Sequence, residues 1–468
     1  MQPRIYTSPR LARADDLLFG VAPLPVRCGF DLVIGGGEVY PEVNFTLPPI
    51  AVDQPNWPEI RRQYQEMAAA ILKRAVALAV PGIVLEFELL PAMTEQPEWG
   101  AEITALLKSH LEQAHERHGL KSALRVTPTD IRDQAKPPEL RTGRAWERLR
   151  CSIELCISAG ADILSIESVG GKEVHDQALV YGDIRGCIFA LGVLAPADMG
   201  WLWDQIAALC GDRCVPGGDS ACGFANTAMQ LAHQKMLPEV LAAVIRAASA
   251  VRSLAAFEHG AVGPSKDCAY EGPVLKAITG CPISMEGKSA TCAHFSPIGN
   301  VAAAVCDLWS NESVQNVRLL SGNAPEAYAE LLAYDCRLMN TAAERGGARL
   351  LRDWLAASDQ TLSPQALVLT PTSTIRLADA ILAAHSPLER TKAAAQTAVS
   401  IVRDAAAAGC LVLSRKETVW LDRIERELAG IPGEEELLQW ARASYPGVFR
   451  PESYALADAI HPRIIKGT

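Results

Sequence analysis

No apolar run in the 468-residue sequence reaches, uninterrupted, the roughly 18–20 residues a membrane span needs. No compact apolar segment follows the basic residues of the first twenty positions, so a secretory signal is not expected. Blocks of Lys and Arg are missing too. With 44 Lys+Arg against 54 Asp+Glu the formal net charge is −10, which speaks against nucleic acid as the partner. The 13 cysteines include no CxxC pair. An odd, scattered set speaks against a disulfide framework and for reduced cytoplasmic thiols, some of them open to a metal. Linkers rich in Gly, Ser or Pro, internal repeats and low-complexity tracts are also absent. What remains is 49% hydrophobic and 21% charged residues. That balance belongs to a globular chain with a sizeable core, folded as one large domain or two ordinary ones.

Short β-rich runs alternate with amphipathic segments through the first two-thirds of the chain. Strands are expected at residues 30–34 (FDLVI), 83–88 (IVLEFE), 122–127 (SALRVT), 162–167 (DILSIE), 185–191 (RGCIFAL), 213–216, 253–258 (SLAAFE) and 282–285. Residues 58–80 and 102–117 carry apolar residues at helical spacing, and 144–159, 197–210 and 237–250 behave similarly. Eight strands, each followed by a crossover, match a (β/α)8 TIM barrel, with a doubly wound open sheet as the competitor. From about residue 295 strands become few. Helices are expected at 301–309, 324–345, 350–356, 386–408, 415–428 and 434–444. The expected division is an N-terminal arm (1–26), a barrel (27–295) and an additional C-terminal helical region (296–468).

Four loops that follow expected strands hold residues with chemistry. In a barrel such loops meet at one mouth. Glu167 precedes a Gly pair, as a surface acid before a turn or as a metal ligand or general acid/base. Cys222 lies in GGDSACGFAN at the start of a helix, where the dipole stabilises a thiolate; most free cysteines are instead small buried hydrophobes. Cys268 lies in EHGAVGPSKDCAYE beside Lys266 with the same two readings, and the nearby His259 reads as structural. Cys292 and His294 are two apart, a spacing uncommon in zinc sites, which favours support of the mouth or a substrate contact. No linear zinc-finger spacing relates Glu167, Cys222 and Cys268, but three strand ends can converge. Three protein ligands with one open position describe a catalytic zinc site.

These loops resemble those of the zinc-dependent methanol:corrinoid methyltransferases. The segments that carry the resemblance include Glu167 to Glu173 (ESVGGKE), 225–229 (ANTAM), 260–268 (GAVGPSKDC), 276–280 (KAITG), 285–294 (MEGKSATCAH), 309–314 (WSNESV) and 332–341 (LAYDCRLMNT), within roughly residues 5–455. The resemblance implies a barrel holding one Zn2+ per chain through Glu167, Cys222 and Cys268. It implies transfer of a methyl group from methanol to the Co(I) corrinoid of a small partner protein, which carries the cofactor and caps the mouth. A homodimeric catalytic subunit within a larger complex is also implied. Glu42, Glu86, Glu88, Asp130 and Asp219 are the acids able to lie at the mouth and deliver a proton. Val126 and His175 depart from the family pattern. If they shaped the pocket, another O-methyl donor such as a methoxylated compound would be the alternative substrate. A non-catalytic subunit that docks a corrinoid protein is the alternative outside enzymology.

Overall fold

The computed structural model describes residues 3–456 apart from Asp267 and Ala269. Residues 1–2 of the expected arm and 457–468 of the expected C-terminal region lie outside the described residues. A hairpin comes first, β1 (Val21–Cys28) paired antiparallel with β2 (Leu32–Gly36). Seven parallel strands follow: β3 (Tyr40–Thr46), β4 (Ile83–Glu88), β5 (Ser122–Thr127), β6 (Ile163–Ile166), β7 (Val215–Asp219), β8 (Ser284–Glu286) and β9 (Leu308–Ser310). Their spatial order is β7-β6-β5-β4-β3-β9-β8. Residues 262–265 close the ring. Val262 and Gly263 donate to the carbonyls of Pro216 and Gly217 at 2.8 Å, and Ser284 donates to the Ser265 carbonyl at 3.3 Å. The result is an eight-membered (β/α) barrel. Its last strand lies beyond residue 295, the expected end of the barrel, and its first begins at residue 40.

Four sequence expectations differ from the structure. Residues 185–191 and 253–258 are helical, within Ile184–Phe189 and its continuation and within Glu239–Glu258. Every residue from Val240 to Phe257 is buried, so the polar face that would mark a helix is missing. Residues 30–34 belong to the hairpin, and 301–309 splits into a short helix and β9. Ile184–Cys210 and Glu239–Glu258 are long and apolar enough to span a membrane. In the fold 89% and 100% of their most apolar 18-residue windows are buried inside the protein.

The barrel interior is layered. At its N-terminal end Tyr40, Val84, Ala123, Ile163 and Leu308 form an apolar floor, sealed from below by Cys28, Leu32 and Ile34 of the hairpin. Above it the inward residues are charged. The guanidinium of Arg125 donates to Glu42 at 2.5 Å and to Ser165 Oγ at 2.7 Å, all at zero exposure. A period of two along each strand then puts Asn44, Glu88 and Thr127 toward the mouth. The hairpin can seat because Phe30 N and O pair with Ser122. Gly29, at φ +53°, sits so close that a Cβ would lie 2.2 Å from the Ser122 carbonyl oxygen. Gly29→Ala is therefore expected to lower stability by about 3 kcal/mol, combining left-handed strain with overpacking. Denaturant unfolding at unchanged m-value measures it.

C-terminal helices clothe the ring. Ala324–Glu344 lies on β3 and on Trp57–Ala77, and Pro387–Ala407 packs on the buried helix Glu239–Glu258. The latter starts with a capping box in which Ser386 and Glu389 satisfy each other's backbone N–H.

Candidate metal centre at the barrel mouth

Glu167 follows β6 directly. Cys222 follows β7 by three residues and opens a wide helical turn, Cys222–Asn226. Cys268 follows the closing segment 262–265. The three elements are neighbours in the ring, so residues 55 and 46 positions apart meet. One ligand atom from each lies within 4.8 Å of the others. The Cys268 thiol donates to Glu167 Oε1 at 3.2 Å, Asn226 Nδ2 donates to Cys222 Sγ at 3.3 Å, and Ser220 Oγ stands 3.5 Å from Cys268 Sγ.

The pKa of each member of the triad lies above its ordinary value. Burial raises the Glu167 carboxyl, against the pull of Lys266. Burial and then the adjacent Cys222 push the Cys268 thiol well above the ordinary range. The hydrogen bond with Cys268 pulls Cys222 down, but burial and Glu167 outweigh it. One buried and two part-buried donors whose pKa values are all raised are groups that a divalent cation would deprotonate on binding. Two sulfurs and one oxygen, with an open side, match a zinc site that retains an exchangeable position.

Beside Glu167 lies a cleft of about 230 Å³, lined also by Glu88, Thr127, Asp130, Lys172 and Gly223 among others. A larger groove of about 520 Å³ lies on the barrel's outside between Trp57–Ala77 and Pro97–His118, and neither a carboxylate nor a thiol lines it. Lys266, buried beside the triad, spans Glu86 at 2.6 Å, Glu88, and Glu167 at 3.8 Å. Sequence reading noted Lys266 only as a neighbour of Cys268. Its role emerges from the closure of the ring, which carries it opposite β4.

The five mouth acids separate by their partners. Glu42 belongs to the interior with Arg125. Asp219 is held by Arg252 at 3.0 Å and Trp203 Nε1 at 3.1 Å. Asp130 touches the cleft, but Arg132 and the Val169 N–H take its oxygens. Glu86 accepts from Lys266 and Thr127. Glu88 alone combines a place on the cleft with partial exposure, 33%. Burial opposes its ionisation, yet Lys266 and then Asn44 outweigh that and its pKa falls below the ordinary carboxylate value. His259 pairs with Asp204 at 3.3 Å, away from the triad. Cys292 is exposed, while His294 meets Glu286 and Glu312 instead. Val126 points into the helical layer, and His175 is fully buried with its ring 5.0 Å from Phe224. Neither lines the cleft.

The family model described as methanol-cobalamin methyltransferase B subunit, MtaB, matches residues 4–455. The chain belongs to this family. It is 38% identical over 463 residues to a methanol–corrinoid protein co-methyltransferase of Methanosarcina barkeri, covering 97% of this chain and 100% of that protein. The crystal structure of the methanol:cobalamin methyltransferase complex MtaBC from Methanosarcina barkeri superposes with a TM-score of 0.93. That match covers 96% of this chain and 99% of the other at 38% identity. The MtaB family assignment and the barrel thus agree with the sequence resemblance.

Proposed function

We propose that this chain transfers the methyl group of methanol to the Co(I) corrinoid of a partner protein, using a zinc ion held by Glu167, Cys222 and Cys268. The observation that carries the reading is the convergence of one carboxylate and two thiols beside an open cleft in a chain of the MtaB family. Zinc on such a ligand set supplies Lewis acidity toward the substrate oxygen, which an unactivated alcohol needs because hydroxide leaves poorly. In the overall step the C–O bond breaks as a Co–C bond forms, and the oxygen departs with the electron pair.

The chain's own residues orient the substrate. Lys266 and Asn44 both donate to Glu88 Oε1, and we assign Oε2 to the methanol hydroxyl. Held ionised by Lys266, Glu88 would accept a hydrogen bond from the hydroxyl, whose proton stays on the departing oxygen, and would fix that oxygen toward the triad. The methyl group then faces the opening, as in-line attack requires. The cleft is far larger than a one-carbon alcohol needs. The surplus suits the face of a corrinoid whose carrier caps the mouth and excludes water.

Because Val126 and His175 stand away from the cleft, the ground for a larger methoxylated donor falls away. A non-catalytic docking role would not need the triad. We further propose a homodimer within the complex and a cytoplasmic setting, which the 13 free thiols support. We also propose a functional division into arm, barrel and helical region, with the barrel carried through β9.

An anaerobic assay with the reduced corrinoid protein tests the reading. Methanol should convert the Co(I) spectrum to methyl-Co(III), and a response to methoxylated compounds with none to methanol would overturn it. Glu88→Gln should keep zinc but slow the methanol-dependent step by about a hundredfold, the cost of misplacing the reacting group. Unchanged turnover in that variant would remove Glu88 from the mechanism.

A further inference from the structure

Around the rim from the triad, β8 ends on Glu286. This side chain is 5% exposed and faces inward, since Ser284, two residues earlier, reaches Glu42 inside the barrel. The short helix Lys288–Ala293 follows, and His294 caps it. Glu312 stands two residues beyond β9. Three neighbouring loops thus bring two carboxylates and one imidazole together, with one ligand atom from each within 4.8 Å of the others. His294 Nε2 approaches Glu312 Oε2 at 3.2 Å. Among the described residues, the buried Glu312 Oε2 and His294 Nδ1 meet no hydrogen-bond partner. The imidazole and carboxylate therefore converge without the alignment of a hydrogen bond. Ligands about 2.1 Å from one tetrahedral ion stand roughly 3.4 Å apart, close to the 3.2 Å between His294 Nε2 and Glu312 Oε2.

We infer that Glu286, His294 and Glu312 form a second divalent-cation site on the barrel rim, separate from Glu167, Cys222 and Cys268. Its donors are one nitrogen and two oxygens. This is a harder set than the thiolate triad and suits a first-row divalent ion such as Mn2+ or Zn2+.

The site is placed to fix the rim. Phe295, next to His294, takes a left-handed backbone (φ +49°) with its ring 73% exposed. That ring stacks on His233 at 4.8 Å and 7°. His233 ends Thr227–His233, the helix that continues from the Cys222 turn. An ion joining Glu286, His294 and Glu312 would tie the loops after β8 and β9 together. Through Phe295 it would also tie them to the loop bearing Cys222.

Mn2+ binding followed by electron paramagnetic resonance tests this on the full chain, because Mn2+ disfavours thiolates. One Mn2+ per chain is expected in the parent and in the Cys222→Ala/Cys268→Ala variant. Glu312→Gln and His294→Gln should each weaken binding by at least about tenfold. In parallel, anaerobic zinc titration should give two ions per chain in the parent and one in Glu312→Gln. An undiminished free Mn2+ signal in the parent overturns the proposal. Equal Mn2+ affinity in parent and Glu312→Gln overturns it as well. Failure of the triad reads differently: Cys222→Ala/Cys268→Ala would hold as much zinc as the parent.

Discussion

Cys268→Ala should leave a folded barrel that no longer retains zinc at the triad and no longer methylates the corrinoid partner. The thiol is buried, and its neighbours are Glu167 at 3.2 Å and Ser220 at 3.5 Å, so its loss opens one side of the ligand set. Two remaining donors hold a divalent ion far more weakly than three. The Lewis-acid contribution they would support is worth several kcal/mol of barrier. At about 1.4 kcal/mol per tenfold, turnover should fall by roughly a thousandfold or more. Cys222→Ala should behave alike, and Asn226, which donates to Cys222, should matter less because it acts only through that sulfur. Metal analysis under anaerobic conditions, with circular dichroism as the control for folding, separates ligand loss from collapse. Full turnover in either variant excludes that cysteine as a ligand.

Much of the ring was legible from pattern alone. Ile83–Glu88 and Ser122–Thr127 were read with their true limits, because both are short apolar runs bounded by turns. Tyr40–Thr46 was missed. Its inward residues are Glu42 and Asn44, and it contains Pro41, so a strand that lines a charged barrel interior reads as a loop. The closing segment 262–265 contains Gly263 and Pro264 and pairs through only a few bonds. The false strands arose where a helix is buried on every side. Glu167, Cys222 and Cys268 came from family resemblance rather than spacing, since no linear rule predicts which loops of a barrel become adjacent. Among the five acids the sequence could not choose, because selection depends on which partner neutralises each one. Arg125, Arg132, Arg252 and Lys266 are separated from those acids by 2 to 180 residues. The rim cluster was half seen: His294 was singled out with Cys292, whereas its actual neighbours come from β8 and from beyond β9.

Arg132→Met should be among the most destabilising substitutions outside the triad. The guanidinium is fully buried and donates to Asp130 at 2.9 and 2.8 Å, to Asp198 at 2.9 and 2.8 Å, and to the Leu140 carbonyl at 2.9 Å. Asp130 in turn accepts from Val169 N, two residues past Glu167, so the network anchors the loop that carries the carboxylate ligand. Methionine fills the volume but leaves two buried carboxylates facing each other, a loss of about 3–5 kcal/mol. Unfolding entropy of about 2.1 cal/mol/K per residue makes each kcal/mol worth about one degree in a chain this long, so Tm should drop by about 3–5 °C. The pH dependence identifies the cause. Burial already raises the Asp198 carboxyl above its ordinary value, even with Arg132 beside it. A carboxyl whose folded pKa is raised destabilises the fold above that pKa and ceases to do so once protonated. Removing Arg132 raises it further. The gap in Tm between variant and parent should therefore be full at neutral and alkaline pH and narrow as pH falls through the variant's Asp198 pKa. A gap that stays constant with pH would assign the loss to packing rather than to the stranded carboxylates.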